Sequence, residues 1–419
     1  MNKKANRFNR IFAISIILSL FFVFAFRTIN FRGNIFNDFR TNIRGIYVSE
    51  GNVFRRMSDF GRGINTAVRD TVEEFYSYVP MGERFSRMYF NYMRAMDRNH
   101  YNGVTFLTDG RLMFDTTEPN IFLYERANAI MELVHYLDEG EPFIFVRVPN
   151  KLQDNSLLPI AFSDSHIIED SEKFLHLIRG YGIDTLDLRA EMEKDGIDFA
   201  TAYFRGDHHW TAETALWAFG KVAEFANREH GFTVPESAWD PLQFEKMTFP
   251  GAFLGEESKA VNALDNYEDI TVLSPRFLTE ITVTDIRVEH YGNIRIEDSF
   301  ADVFMPLLRY AYHDGFTYSD LNVLARDFLR FENANAPEQK KVLLIADSMG
   351  FPLTMFFSNT FAVVDQLYLM QGNNDRVWSA VAEYEYDLVI FILSDGVVPF
   401  GDEDGFWDDR LFLGVPPMR

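Results

Sequence analysis

Three residues in two short stretches of the sequence have the side chains that acyl transfer requires: Asp207 and His209 in the first stretch, and Ser348 in the second. A carboxylate, an imidazole and a hydroxyl are the orienting acid, the general base and the nucleophile of serine acyl chemistry. Asp207 and His209 directly precede a helical pattern, and Ser348 follows an apolar run. We therefore take these three residues as the candidate catalytic group.

The apolar run before Ser348 predicts the element that positions it. Residues 342–346 are apolar throughout, which is typical of a central strand in a parallel sheet. Ligands bind at the carboxyl ends of such strands, where Ser348 would lie. Gly350 predicts a tight turn before the next helix, so backbone amides at Ser348 and Gly350 are expected to hold an oxyanion. The alternative is that Asp347 and Ser348 only cap that helix.

The spacing of Asp207 and His209 favours an oriented pair. Residues two apart in an extended segment point the same way, so Asp207 can bind one ring nitrogen of His209 while the other faces Ser348. A single histidine near an apolar helix is usually structural. The crowding of polar and aromatic residues over 207–210 favours a site instead, with Trp210 packing the loop against the sheet.

A metal site is the competing interpretation of the same residues. Its ligands would be Asp207 and His208 or His209 together with a distant histidine, the candidates being His166, His176 and His290. Nothing supplies a helical His-x-x-x-His spacing. The chain has no cysteine, which excludes disulfides, thiolate metal sites and thiol nucleophiles. We expect neither a metal nor a cofactor.

The surrounding pattern predicts an α/β fold. A hairpin over 101–114, with its turn at Asp109-Gly110, precedes the alternation. Helical and strand patterns then alternate over 121–227 and again after 337, and the helix at 211–227 is amphipathic with Thr211 as its N-cap. The intervening residues, about 231–337, lack the alternation and predict a β-rich insertion.

Composition and the amino terminus bear on location and partners. The net charge of −22 argues against nucleic acid as a partner. Residues 11–26 contain no charge and follow four basic residues, which predicts a signal anchor over 1–30 that spans the cell membrane once and leaves the rest outside. A cleaved signal peptide is the alternative, although no small-x-small cleavage pattern follows. Residues 31–100 predict a helical stalk or packing extension.

The stretches Gly-Asp-His-His-Trp-Thr at 206–211 and Leu-Leu-Ile-Ala-Asp-Ser-Met-Gly at 343–350 resemble those of the DHHW family of bacterial surface proteins. That family is similar to the SGNH-hydrolase-like domains of alginate O-acetyltransferases, which also place an Asp-x-His pair before the serine. The resemblance implies an SGNH-hydrolase-like (flavodoxin-like) parallel sheet with helices on both faces over 101–419. It gives Asp207, His209 and Ser348 the acid, base and nucleophile roles, with His208 in the variable position.

The same resemblance leaves the oxyanion side chain open, because ordinary SGNH hydrolases place the serine first and their blocks do not map here. Asn150, Asn333 and Asn335 are the candidates.

The expected function is a membrane-anchored O-acetyltransferase or acetylesterase that acts on an extracytoplasmic glycan. An external transferase has no acetyl-CoA, so the resemblance implies a membrane-bound O-acyltransferase as acetyl donor, with a glycan as acceptor. Two alternatives remain: a non-catalytic carbohydrate-binding or assembly protein of the same fold, and a general esterase or lipase.

Overall fold

The computed structural model describes most of the chain after residue 98. The described residues are 99–114, 122–137, 141–159, 166–261, 263, 266–277, 280–285, 296–298, 328–369 and 375–395, with a few between 88 and 96. They belong to one compact unit, Arg87–Arg419. The predicted anchor over 1–30 and nearly all of the predicted stalk lie outside the described residues. No helix in the described part is long and apolar enough to cross a membrane.

Strands and helices alternate through both ends of this unit. The strands are β1 His100–Tyr101, β2 Val104–Phe106, β3 Leu112–Phe114, β4 Phe143–Val148, β5 Thr185–Asp187, β6 Phe244–Phe253, β7 Glu268–Pro275, β8 Ile281–Asp285, β9 Ile296–Asp298, β10 Phe328–Asn333, β11 Glu338–Ala346, β12 Phe361–Tyr368 and β13 Leu388–Ser394. The helices are α1 Leu123–Tyr136, α2 Ile167–Gly180, α3 Leu188–Asp195, α4 Phe199–Ala202, α5 Ala212–His230, α6 Glu256–Ala260, α7 Phe351–Thr360 and α8 Asp375–Glu383.

Eight of the strands form one sheet, in the order β5-β4-β13-β11-β12-β10-β8-β9. The first five are parallel to one another, and the last three continue the sheet in antiparallel pairs. When the parallel strands are numbered from β11 through β13 and then on to β4 and β5, their spatial order is the 2-1-3-4-5 of a flavodoxin-like sheet. The switch point of that order, where ligands bind, falls between β11 and β13.

The parallel strands are covered by helices on both faces, as predicted. Along β11, Val342, Leu344 and Ala346 pack in a core that includes residues of α3, α5 and α7. Leu343 and Ile345 point the other way, into a core shared with α1, α2 and α8. Alternate residues of this part of β11 therefore serve two hydrophobic cores, which explains why residues 342–346 are apolar at every position.

The region 231–337 differs from the separate insertion that its pattern suggested. β8, β9 and β10 extend the main sheet, and residues such as Val283 and Phe331 are buried in the core that lies under α5. Only β6 and β7 form a sheet of their own, with α6 between them in the chain. Strands β8 and β10 join the sheet because apolar residues such as Val283 and Phe331 complete that core.

The predicted hairpin is observed as β2 and β3, joined through Gly110 with its φ of 87°. This positive φ is the reason for a glycine in the turn. The hairpin reaches the candidate site, because the Leu112 N–H donates to the Arg205 carbonyl at 2.8 Å.

Candidate active site

The Asp-His-His-Trp stretch forms the tip of a closed loop before α5. Tyr203 and Trp210 pair as an isolated antiparallel bridge, which closes the loop at its base. The Trp210 side chain is 0% exposed and packs in the core, as predicted. Thr211 caps α5 by accepting the Thr214 N–H, also as predicted. The bridge between Tyr203 and Trp210 thus fixes the positions of Asp207 and His209 in the loop.

The structure brings the three predicted catalytic residues together. His209 Nδ1 lies 2.5 Å from Asp207 Oδ1, and His209 Nε2 lies 2.9 Å from Ser348 Oγ. Asp207 is 0% exposed and His209 is 5% exposed, whereas Ser348 is only partly buried. This is the geometry in which a carboxylate orients an imidazole and the imidazole takes a serine proton.

Asp347 caps the turn that carries Ser348, so the capping role predicted for the Asp-Ser pair falls to Asp347 alone. The Asp347 carboxylate accepts the Met349 N–H at 2.9 Å and the Ser394 N–H at 2.7 Å. Ser348 begins a short 3-10 turn after β11, and its hydroxyl is left for His209. The Ser394 contact also ties the turn to the end of β13.

Asp207 is held by backbone amides from two directions. Its Oδ1 accepts the His209 N–H at 3.0 Å, and its Oδ2 accepts the Glu256 N–H at 2.8 Å. The start of α6 can approach this closely because two glycines meet there. A Cβ on Gly255 would lie 2.0 Å from the Gly206 carbonyl oxygen, and a Cβ on Gly206 would lie 1.9 Å from Ser258 Oγ.

Two side chains, Lys151 and Glu268, form hydrogen bonds with the backbone of the loop that leads to Asp207. Lys151, 1% exposed, donates from Nζ to the Asp207 carbonyl at 2.8 Å and to two neighbouring carbonyls at 3.4 and 3.5 Å. Glu268 accepts the Arg205 and Gly206 N–H groups, both at 2.8 Å. A polar loop can lie inside the protein only with such partners.

The electrostatics suit a neutral base beside an ionised acid. Burial, together with the charge of His208, lowers the pKa of His209 to about 4, against the opposing effect of Asp207. Burial alone would raise the pKa of Asp207, but His209, His208 and the Glu256 N–H hold it well below its usual value. With its pKa lowered in this way, His209 is in its basic form at neutral pH and can accept the proton of Ser348.

His208, the variable residue of the motif, lies against the triad. Its ring lies against that of His209, tilted by 37° with centroids 3.9 Å apart, and its centroid lies 5.9 Å from that of Phe114 on β3. Its side chain is 41% exposed. His208 thus lies beside the base and reaches solvent.

Two predicted oxyanion donors, the Gly350 amide and the Asn150 side chain, differ in whether they already have a hydrogen-bond partner. The Gly350 N–H donates to the Asp347 carbonyl at 3.0 Å, and a Cβ on Gly350 would lie 2.3 Å from that of Ala346. Gly350 therefore serves the turn and its packing, and its amide is not available for the oxyanion role expected of it. Asn150, just beyond β4, has a buried Nδ2 without a hydrogen-bond partner among the described residues.

The other two asparagine candidates lie at the wrong edge of the sheet. Asn333 donates to the Ser358 and Asn359 carbonyls, and its Oδ1 accepts the Asn335 N–H. Asn333 ends β10, which is antiparallel to β12 and places it near the start of that strand. Ser348 follows the opposite end of β11, so Asn333 and Asn335 are excluded as oxyanion donors.

A metal is disfavoured by how the ring nitrogens are used. Ligand atoms of Asp207, His208 and His209 lie within 4.8 Å of one another, the only such group in the part of the chain that the structure describes. Both ring nitrogens of His209 are already bound, to Asp207 and to Ser348. Metal coordination by His209 would break one of these contacts.

Several supporting residues were missed by the sequence analysis: Lys151, Gly255, Glu256, Glu257 and Glu268. They lie far from the motif in sequence and reach it only through tertiary contacts. One signal was available, since Lys151 closely follows the strand pattern of β4 at the edge where ligands bind. The acids of α6 and β7 gave none, because their segment lacked a recognisable alternation.

Comparison with known proteins agrees with this fold and motif. Residues 121–254 match the family described as the SGNH hydrolase-like domain of the acetyltransferase AlgX. The range holds Asp207 and His209 and ends before Ser348. The predicted resemblance to the SGNH-hydrolase-like domains of O-acetyltransferases is confirmed over those residues. No curated protein matches the chain as a whole sequence.

Two solved structures are similar to the chain in fold. Bacillus cereus PatB1 with a sulfonyl adduct superposes with a TM-score of 0.58 at 16% identity, covering 72% of this chain and 96% of that one. A DHHW family protein from Eubacterium siraeum superposes with a TM-score of 0.51 at 16% identity, covering 75% and 97%. At these identities the likeness establishes the fold, and function has to be argued from the site.

Proposed function

We propose that this protein is an O-acetyltransferase or acetylesterase that acts on a polysaccharide outside the cell through Ser348, His209 and Asp207. One observation carries the proposal: His209 contacts Asp207 through one ring nitrogen and Ser348 through the other, at 2.5 and 2.9 Å. The match of residues 121–254 to an acetyltransferase domain supports acetyl as the acyl group.

In the first half-reaction, Ser348 Oγ attacks the carbonyl carbon of an acetyl ester while its proton passes to His209 Nε2. The carbon–oxygen bond of the donor then breaks, and the leaving alcohol takes the proton from His209. In the second half-reaction a sugar hydroxyl, or water, gives its proton to His209 and attacks the acetyl-serine. The bond between Ser348 Oγ and the acetyl carbon then breaks, and Ser348 Oγ recovers the proton from His209. Asp207 stabilises the imidazolium that forms in each half.

The negative oxygen of each tetrahedral intermediate needs hydrogen-bond donors. The Ser348 N–H is the first amide of its turn and has no acceptor within it. Asn150 supplies the second donor in our proposal, because its Nδ2 is buried without a partner in the described residues. Gly350 takes no part.

The proposed location and partners follow from the sequence. Residues 11–26 would anchor the chain in the cell membrane, with the catalytic unit on the outer side. The acetyl donor would be a membrane-bound O-acyltransferase, since acetyl-CoA is intracellular, and the acceptor would be a cell-surface or exported glycan. An epitope-accessibility assay on intact and permeabilised cells tests the orientation: labelling only after permeabilisation contradicts it.

The activity is tested with a chromogenic acetate ester and the full chain in detergent. We expect slow acetyl release by the wild type and its loss in Ser348→Ala and His209→Ala. Ser237→Ala, which removes an exposed serine remote from the triad, is the matched control and should retain activity. Undiminished turnover in Ser348→Ala would refute serine-dependent chemistry.

A carbohydrate-binding protein without catalysis is the second candidate, and one surface favours it. A groove of about 410 Å³ along α5 is lined by Trp217 and Trp239 together with Glu213, Lys221 and Lys246. Tryptophan rings flanked by polar groups suit the apolar faces and hydroxyls of sugars. Binding of a glycan in this groove without acetyl release from any ester would favour this candidate.

A further inference from the structure

Beside the triad, α6 carries a carboxylate that is fully buried. Glu257 is 0% exposed, and neither of its oxygens has a hydrogen-bond partner within the described residues. Two basic groups lie next to Oε1: Lys151 Nζ at 3.5 Å and His208 Nδ1 at 3.7 Å. An ionised carboxylate in such surroundings requires cations beside it.

His208 is placed between this carboxylate and that of the triad. Its Nδ1 is a buried atom, 3.7 Å from Glu257 Oε1 and 3.9 Å from Asp207 Oδ1. A ring nitrogen that faces two carboxylates carries a proton. The ring is otherwise accessible, since the side chain is 41% exposed. Nε2 can therefore exchange a proton with solvent, and its protonation makes the ring a cation.

The charged groups around His208 come from four segments of the fold. The acids are Asp207 on its own loop, Glu256 and Glu257 on α6, and Asp347 after β11; the bases are His209 on the loop and Lys151 after β4. Lys151 already donates to three carbonyl oxygens of the loop. A second cation is therefore needed to balance Asp207 and Glu257, and His208 is the group in position to supply it.

We propose that buried Glu257, with Asp207, holds His208 in its charged form, and that this imidazolium is a positioning residue that keeps the adjacent His209 unprotonated at acidic pH. The arrangement itself follows from the contacts above. Its consequence for catalysis rests on the proposed function, because only a reaction that uses His209 as a base would be affected by it.

The direction of the electrostatic effects agrees with the geometry. Burial alone would lower the pKa of His208, but Glu257 and Asp207 outweigh it and raise the pKa to about 9. Burial is the largest cause of the low pKa of His209, and the charge of His208 is the second largest. Below the ordinary pKa of histidine, His209 would then remain neutral and able to accept the Ser348 proton.

Histidine NMR titration of the full chain in detergent tests the pair without depending on turnover. The chain has nine histidines, which single substitutions can assign. In the wild type we expect the pKa of His208 well above, and that of His209 well below, the usual value. In His208→Gln, the pKa of His209 should rise by about one unit or more, because a like charge at ring-contact distance is removed.

Glu257→Gln should lower the pKa of His208, because it removes the carboxylate that lies 3.7 Å from Nδ1. His176→Gln, which replaces an exposed histidine on α2, is the control and should change neither value. If Glu257→Gln does not fold, judged by circular dichroism, His208→Gln still decides the question because its ring is partly exposed. An unchanged pKa of His209 in His208→Gln, or an ordinary pKa of His208 in the wild type, would overturn the proposal.

The acid limb of kcat/KM on the acetate ester gives an independent readout. It should move to higher pH in His208→Gln by the same amount as the pKa of His209. If the wild type releases no acetate while the two NMR shifts are as expected, the acetylesterase form of the proposed function fails and the charged pair stands. If acetate is released and the limb does not move, the pair fails and the function stands.

Discussion

A serine hydroxyl is a weak nucleophile until a base can take its proton. In this protein the base is within reach, because Asp207 binds Nδ1 of His209 and thereby directs Nε2 to Ser348 at 2.9 Å. The cap of the same turn is a separate residue, Asp347, whose carboxylate is fully engaged by backbone N–H groups. Each side chain at the site therefore has one task.

Replacement of Asp207 by asparagine should disable the base while leaving the fold. An asparagine would donate from Nδ2 to His209 Nδ1 and favour the tautomer whose Nε2 carries a proton toward Ser348. We expect kcat/KM on an acetate ester to fall by about a thousandfold or more. Asp184→Asn, at an exposed acid before β5, is the matched control. Activity within a few-fold of wild type would show that Asp207 does not orient the base.

At this scale the sequence predicted the three residues that the structure brings together, and it missed several of the side chains around them. Asp207, His209 and Ser348 were found because their types and order match a known chemistry. Glu257 and Lys151 were not found, because a buried ion pair has no local pattern. Gly350 was assigned an oxyanion role on its proximity to Ser348, whereas the structure uses its amide within the turn.

At the scale of elements, the acid of the triad depends on the contact between its loop and α6. Gly206 and Gly255 meet there without side chains, and this allows the Glu256 N–H to reach Asp207 Oδ2 at 2.8 Å. The contact is the reason why glycine precedes Asp207 in the motif.

Gly255→Ala should damage both stability and activity. Its Cβ would lie 2.0 Å from the Gly206 carbonyl oxygen and 2.6 Å from the Asp207 Cβ, so α6 must move away from the loop. We expect a loss of about 1–3 kcal/mol in the free energy of unfolding, measured by urea denaturation, and a fall in kcat/KM.

Gly180→Ala provides the control, since a Cβ at the end of α2 would meet nothing within 4 Å. It should change stability by no more than about half a kcal/mol. Equal effects of the two substitutions would contradict the close-approach argument.

Strands that are buried on both faces could be predicted from the sequence. Residues 143–146 of β4, 342–346 of β11 and 388–393 of β13 are buried on both faces, and their apolar runs marked them in the sequence. β8 and β10 were not recognisable as parts of the same sheet, because their antiparallel pairing depends on a register that no local pattern encodes. The β-rich character of 231–337 was predicted, and its partition between two sheets was not.

At the scale of the whole molecule, the site is assembled from two separate parts of the chain. Residues 141–230 contribute β4, β5 and the Asp-x-His loop, and residues 328–395 contribute the serine and the strands beside it. A buried ion pair joins them, as Arg147 on β4 donates to both oxygens of Asp395 after β13 at 2.8 and 3.2 Å. Ser394, the residue before Asp395, donates to Asp347.

Arg147→Met should therefore weaken the fold strongly, because it leaves Asp395, 0% exposed, without its main partner. We expect a loss of about 3–5 kcal/mol in the free energy of unfolding by urea denaturation. Lys340→Met removes the cation of an exposed pair with Asp387 and should leave the unfolding midpoint unchanged. Similar small shifts in both variants would mean that the buried pair does not tie the two parts together.

The most direct test of the central claim is covalent labelling of Ser348. Sulfonyl fluorides react with serine hydroxyls that a neighbouring base activates, so a sulfonyl fluoride is the probe, with peptide mass mapping of the full chain. We predict one modified residue, Ser348, with labelling greatly slowed in His209→Ala and retained in Ser237→Ala. Labelling of a different residue, or equal labelling rates in wild type and His209→Ala, would contradict a serine nucleophile activated by His209.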